Sequence, residues 1–174
     1  MKEIEYVIVI GAGLAGCECA YILAKNNIKV KLYEMKKYKK SPAHKSENFA
    51  ELVCSNSLKS DLLTNACGLL KYEMNELGSL FVRIAHETKV PAGQALAVDR
   101  DKFSLEITKA IKKEKNIEVI DKEIEDLSQL KGITVIATGP LTSDSLLRSI
   151  SDLIGDTSLY FYDAAAPIVE ADSI

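Results

Sequence analysis

The sequence predicts an α/β fold, a mostly parallel sheet with helices on both faces. Three observations predict it. An apolar run, Val7-Ile8-Val9-Ile10, passes at once into Gly11-Ala12-Gly13-Leu14-Ala15-Gly16 and a helical pattern. A second strand pattern, Ile28-Lys29-Val30-Lys31-Leu32-Tyr33, follows and is closed by Glu34. Two later runs, Asn116 to Ile120 and Ile133 to Ala137, alternate with helical stretches and are too continuously apolar for a sheet that is wet on one side.

The first unit, Tyr6 to Glu34, carries the fingerprint of a Rossmann-like FAD/NAD(P)-binding domain. Gly11 allows the tight turn, Gly13 lets the backbone approach a diphosphate, and Gly16 lets the new helix lie against the strand. The diphosphate then rests on Gly11, Ala12, Gly13, Leu14, Ala15 and Gly16. Unpaired N–H groups and the positive end of the helix dipole hold an anion there without any Lys or Arg. Glu34 stands about 20 residues past the glycines, where a carboxylate accepts hydrogen bonds from an adenosine ribose and repels a 2′-phosphate. The spacing therefore points to FAD or NAD in preference to NADP.

From Glu34 a long connection, Met35 to Ser46, carries lysines, Pro42 and His44 without periodicity, a length uncommon in compact domains unless a site uses it. A short segment, Phe49 to Cys54, leads into the polar group Ser55-Asn56-Ser57. From Leu58 the pattern is helical: Leu58, Leu62, Leu63, Cys67, Leu70, Met74 and Leu77 return at three- and four-residue spacing, which predicts one buried stripe ending near Gly78. Val90 to Val98 reads as a turn feeding an extended segment. Asp99 is placed to cap a helix from Arg100 to about Glu114, with Phe103, Ile107 and Ile111 on one face. Ile117 to Ile120 is a strand, Ile124 begins or ends a short one, and Ile133 to Ala137 is a buried strand stopped by Gly139-Pro140. Thr142 or Ser143 caps a last helix through Leu146, Leu147 and Ile150. In such a sheet ligands bind beyond the C-terminal strand ends, where Gly11 to Gly16, Glu34, Thr138 and Gly139 all fall.

With 47% apolar and 27% charged residues, the 174-residue chain has the composition of one ordinary globular domain. It shows no membrane-spanning run and no signal-peptide pattern, so a cytoplasmic protein is expected. Four cysteines do not make a disulfide framework here, Cys17 and Cys19 point to different sides of a helix, and no metal spacing exists. A net charge of −3 argues against a general nucleic-acid binder. Its distribution is uneven: Lys25, Lys29, Lys31, Lys36, Lys37, Lys39, Lys40 and Lys45 gather around the single acid Glu34, while Glu114 to Asp126 is mainly acidic. That lysine run reads equally as a solvated loop or as a phosphate-contacting patch.

Few residues could do chemistry. Cys54 stands before a polar turn with lysines on either side in sequence, an environment that can lower a thiol pKa, although free cysteines are more often inert core residues. Cys17, Cys19 and Cys67 fall in helical stripes. His44 could contact a phosphate or be merely solvated, and His86 carries no such context. No triad, paired carboxylates or metal set can be assembled, so hard chemistry would come from a cofactor.

The glycine turn, Leu32-Tyr33-Glu34-Met35, Pro42-Ala43-His44, Phe49 to Leu58 with Cys54, Val90-Pro91-Ala92-Gly93, Ala95 to Arg100, Ala137 to Thr142 and Tyr160 to Val169 together resemble the TrmFO (Gid) family of folate- and FAD-dependent tRNA methyltransferases. Gln94 and Lys45 depart from its usual pattern without touching a chemical residue. The resemblance implies conversion of the T-loop uridine (position 54 of tRNA) to 5-methyluridine. The carbon would come from 5,10-methylenetetrahydrofolate, the reducing power from NAD(P)H, and FAD would be the carrier. It implies that Cys54 adds to C6 of the uracil, and it makes Lys36, Lys37, Lys39, Lys40 and His44 candidates for contact with the tRNA T-arm. The family's chains are more than twice as long. Residues 1–174 would thus be the N-terminal part of the FAD-binding domain, without the insertion domain and the C-terminal half, inactive alone and holding FAD poorly. A wobble-uridine flavoprotein of the MnmG kind and an inactive nucleotide-binding remnant are the alternatives; the Tyr160 to Val169 block speaks against the former.

Overall fold

The computed structural model describes residues 5–155. The Tyr160 to Val169 block lies outside the described residues.

A four-stranded parallel sheet forms the centre. It is built from β1 (Val7–Ile10), β2 (Val30–Glu34), β6 (Ile117–Asp121) and β7 (Ile133–Ile136), in the order β6-β2-β1-β7. The chain winds outward from β1 through β2 to β6 and then returns to β1's other side, so strand order reverses at the C-terminal end of β1. That reversal opens the crevice in which such sheets bind ligands. Helix α1 (Leu14–Lys25) crosses from β1 to β2. Helix α4 (Arg100–Lys113) is started by the Asp99 carboxylate, which accepts the Lys102 N–H at 3.1 Å as its spacing predicted. Its Phe103, Ile107 and Ile111 are fully buried with Val9, Leu32, Ala20 and Ala24 on one face of the sheet. Ile8 and Ile10 cover the other face with Ile124 and with Leu146 of α5 (Asp144–Ile154). Both faces are therefore dressed, which is why the strands read as continuous apolar runs.

A second, antiparallel sheet of three strands, β3 (Ser57–Ser60), β5 (Ala95–Val98) and β4 (Lys89–Val90), was not expected from the sequence. The helical reading from Leu58 fails here. Ser57 to Ser60 pair with β5, and helix α2 (Ala66–Glu76) starts only after Asn65, whose side chain accepts the Cys67 N–H at 3.0 Å. The expected stripe is not buried: Leu63 is 58% exposed, Leu70 57% and Leu77 80%. What α2 buries is Gly68, where a Cβ would stand 2.0 Å from the Leu62 carbonyl, and Lys71, whose ammonium donates to the carbonyls of Leu58 and Cys67. Gly78 stops the helix at φ +82°, as anticipated. A short helix that periodicity missed, α3 (Leu80–Glu87), is capped by Ser79 and packs beside α1 and α4.

Two smaller corrections follow from packing. Ile124 belongs to no strand but is a buried loop residue on the second face. Strand β7 lies at the sheet edge, with Ile133 and Ile136 exposed, so it is not a buried strand. Ser143 takes the N-cap position of α5 without a side-chain bond. Among the described residues no helix is long and apolar enough to cross a membrane, and no group of His, Cys, Asp or Glu could hold a metal ion.

Candidate dinucleotide-binding site

The turn after β1 is shaped by what a side chain would hit. Gly11 has φ +95°, and a Cβ on it would meet the Ala137 carbonyl at 2.8 Å. At Gly16 a Cβ would come within 1.8 Å of the Gly11 carbonyl, so the third glycine is demanded by the helix lying against the turn. Gly13 differs. Among the described residues a Cβ there would touch only the Ala137 carbonyl, at 4.0 Å, so none of their atoms requires glycine at this position. The empty space faces a cleft, and Gly13 is the N-cap of a 12-residue helix with no capping side chain and no acid in its first turn. The first N–H groups of α1 are thus left to an anion from outside.

Glu34 ends β2 and is almost fully buried. One carboxylate oxygen accepts the Ala12 N–H at 2.8 Å and the other the Lys36 N–H at 3.0 Å. Each oxygen keeps a further lone pair for a hydroxyl, and Glu34 makes no ion pair among the described residues. The acid is locked onto the glycine turn itself, the arrangement a ribose-binding carboxylate needs.

The cleft, about 270 Å³, lies at the C-terminal ends of β1, β2, β6 and β7. Gly11, Gly13, Leu14, Ala15, Glu34, Thr138 and Gly139 all line it. Ala12 and Gly16 stand behind it: Ala12 is buried, its carbonyl accepting the Ala50 N–H at 2.9 Å and the Cys17 thiol at 3.3 Å, while Gly16 serves helix packing. Sequence reasoning missed Met35, Lys122, Glu123, Leu141, Ser143 and Leu146, which also form the walls. Their positions just past strand ends were the available signal. Apolar walls around a backbone anion site, with the Glu34 carboxylate held at the end of β2, suit the adenosine diphosphate half of a dinucleotide.

The lysine loop is rearranged relative to expectation. Lys36 is 3% exposed, its ammonium donating to the Asn48 carbonyl, and burial lowers its pKa against the opposing pull of Glu34 and Glu51. Its side chain is thus enclosed at the cleft wall and is not presented on the surface with the rest of the lysine run. Lys37 and Lys39 are ion-paired with Asp121 at 2.8 Å and Glu123 at 2.7 Å, so much of the positive run is neutralised by the acidic segment that looked separate in sequence. Lys40 reaches the Lys45 carbonyl at 2.8 Å and remains exposed. His44 lines the cleft with Nδ1 2.7 Å from the Ser41 hydroxyl, and burial, with Lys36 nearby, lowers its pKa.

Cys54 is exposed, whereas Cys17 is buried and its thiol pKa is pushed far up by desolvation. The segment Glu51 to Cys54 flanks the cleft, which Glu51 and Val53 line. It is fixed at its start by Ala50, held in the left-handed region at φ +50° with its N–H on Ala12. At its far end Arg100 donates to the Cys54 carbonyl at 3.3 Å. Sequence reasoning had placed only lysines around this thiol.

The fold and the turn define a doubly wound, Rossmann-like dinucleotide-binding domain. The family description "Glucose inhibited division protein A" matches residues 6–174, and the chain belongs to that family. It is 62% identical over 168 residues to the methylenetetrahydrofolate–tRNA-(uracil-5-)-methyltransferase TrmFO of Fusobacterium nucleatum, covering 97% of this chain and 38% of that protein. The TrmFO proteins of Acetivibrio thermocellus and Bacillus subtilis are 58% and 55% identical, each aligned over 98% of this chain and 39% of its own length. The chain thus spans under two fifths of the curated relatives it matches. GidA of Aquifex aeolicus superposes with a TM-score of 0.61 at 18% identity, over 78% of this chain and 25% of that one, a likeness of fold.

Proposed function

We propose that this polypeptide is the dinucleotide-holding, cysteine-bearing part of a folate-dependent tRNA (uracil-5-)-methyltransferase acting in the cytoplasm on the T-loop uridine. FAD would be the cofactor, with 5,10-methylenetetrahydrofolate and NAD(P)H as co-substrates. The observation that carries the reading is the segment Glu51 to Cys54: Glu51 and Val53 line the cleft that accepts a dinucleotide, and an exposed thiol follows directly.

The Gly11 to Gly16 turn would hold the diphosphate and Glu34 the ribose. Bound there, FAD supplies the one-carbon and hydride transfers that no side chain of this chain can perform. Cys54 provides what the cofactor does not. Its thiolate adds to C6 of the uracil as the C5–C6 double bond opens, which makes C5 nucleophilic; the sulfur–C6 bond breaks again when the C5 proton leaves. The apolar cleft walls Leu14, Ile124 and Leu146 would shield a dinucleotide bound there from water.

A T-arm RNA hairpin with 5-fluorouridine at the target position tests this, because fluorine cannot leave C5 as a proton does and the sulfur–C6 adduct persists. Incubated with excess FAD, NAD(P)H and methylenetetrahydrofolate, the chain should yield an SDS-stable RNA adduct that Cys54→Ala abolishes. An adduct that survives in Cys54→Ala, or none while Cys54 is still alkylated by iodoacetamide, overturns the reading.

A further inference from the structure

The segment Glu51 to Cys54 has two sides. One faces the dinucleotide cleft. The other borders a shallow depression whose lining includes Lys45, Ser46, Glu51, Arg100, Asp101 and Ser104. We propose that Arg100, together with Lys45, holds an RNA backbone phosphate in this depression, beside the nucleotide presented to Cys54. The inference rests on the RNA-methylating reading above and names the surface through which its substrate is held.

Arg100 is exposed at the start of α4, and its guanidinium donates to the carbonyl of Cys54 at 3.3 Å. That bond uses one edge of a planar fork. The remaining N–H donors have no carboxylate partner among the described residues, although Asp101 is its neighbour and Glu51 faces it. Asp101 lies in the first turn of α4, where a carboxylate is favoured by the helix dipole. Glu51 is committed to backbone: its carboxylate accepts the N–H groups of Lys45 and Ser46 at 3.0 and 3.2 Å, which holds Lys45 at the same rim. Lys45 makes no ion pair among the described residues. A guanidinium already anchored at one edge gives a phosphate a rigid bidentate partner, and Lys45 adds a point charge. The anchor is the backbone of Cys54 itself, so a phosphate bound there lies within a nucleotide's reach of the thiol.

This placement also explains where the basic character of the molecule is usable. Lys36 is buried, and Lys37 and Lys39 are spent on Asp121 and Glu123. Lys45 and Arg100 line this depression without an ion pair among the described residues, and Arg100 is distant in sequence from the lysine run. The depression sets Lys45, Arg100, Ser46 and Ser104 beside the Glu51 and Asp101 carboxylates, and its two cations are the groups a phosphodiester would meet.

Fluorescence anisotropy of a T-arm RNA hairpin at several salt concentrations tests the assignment. Arg100→Ala should weaken binding about tenfold near 0.1 M salt and lower the slope of log K against log salt by about one phosphate contact, with Lys45→Ala lowering it similarly. Arg100→Lys should restore most of the slope, since it keeps the charge while losing the fork. If Arg100→Ala changes Cys54 alkylation but leaves the salt slope intact, Arg100 is only a tether for the loop and the proposal fails. It fails too if Lys37→Ala and Lys39→Ala reduce the slope as much as Arg100→Ala does. A wild-type chain that does not bind the hairpin at low salt overturns the RNA-methylating reading itself, a result distinct from normal binding indifferent to Arg100.

Discussion

The two sheets of this molecule meet the same requirement in opposite ways. In the parallel sheet, β1 and β2 are sealed between α1 and α4 on one face and α5 with its flanking loop on the other. In the antiparallel sheet, β3 alternates between exposed and half-buried residues, and the helix beside it turns Leu69, Leu70, Tyr72 and Leu77 to solvent. The covered half positions the glycine turn, while Cys54, itself exposed, stands in the loop that leads into β3. An apolar surface as large as that on α2 is a feature of interfaces in other proteins.

The sharpest way to break this contrast is to remove one large apolar residue from each region. Phe103 is fully buried against Phe81, with ring centroids 5.8 Å apart. Phe103→Ala should cost about 3–5 kcal/mol in chemical denaturation. Leu77→Ala should stay within about 0.5 kcal/mol, because a side chain this exposed has little burial to lose. Equal losses at both positions would mean that α2 is covered in solution.

Next in size is a contrast inside the glycine turn. Gly16→Ala drives a Cβ into a backbone carbonyl and should cost about 1–3 kcal/mol or more. Gly13→Val should leave folding nearly intact yet abolish FAD and ADP binding by isothermal titration, since its only neighbour is 4.0 Å away and the space belongs to the ligand. A Gly13→Val protein that binds ADP as wild type does would remove the diphosphate from this turn.

His44 gives a smaller, pH-dependent effect. Its folded-state pKa is lowered, chiefly by burial and then by Lys36, so the unfolded chain binds the proton more readily. Stability should therefore be full above the unfolded value of about 6.5 and decline as pH falls from there to the depressed folded value. His44→Gln should flatten the denaturation midpoint across that window. An unchanged slope would show that the loop around Ser41 and His44 opens before the ring is protonated.

What the sequence revealed and what it concealed differ in kind. The glycine turn was legible because its pattern is contiguous in sequence: Gly16 answers to the Gly11 carbonyl, Gly11 to Ala137 after the neighbouring strand, and Gly13 to the open cleft. Asp99 and the Phe103, Ile107, Ile111 face were legible because capping and period act within one helix. The Leu58 to Leu77 stripe was misread because three- and four-residue spacing says which residues share a face and nothing about what covers it. Lys36 was misplaced because its partner is the backbone carbonyl of Asn48, which has no signature in the residue names. Arg100 was passed over as a charge opening a helix, since only the fold brings it to Cys54.

The acidic segment and the lysine loop offer the last test, with the smallest expected effect. Lys37 and Lys39 lie on the surface and pair with Asp121 and Glu123 at the ends of the parallel sheet. Solvent screens such pairs, and holding two long side chains in place costs entropy, so Lys37→Ala and Lys39→Ala should barely move the denaturation midpoint. Each instead releases a carboxylate near the mouth of the cleft. If neutralising the loop is what those pairs do, FAD binding should weaken in Lys39→Ala and recover when Glu123→Gln is added, because Glu123 lines the cleft while Asp121 does not. Equal FAD affinity in wild type and Lys39→Ala would leave these pairs with no part in the site, and the division between the covered half and the open half would then rest on packing alone.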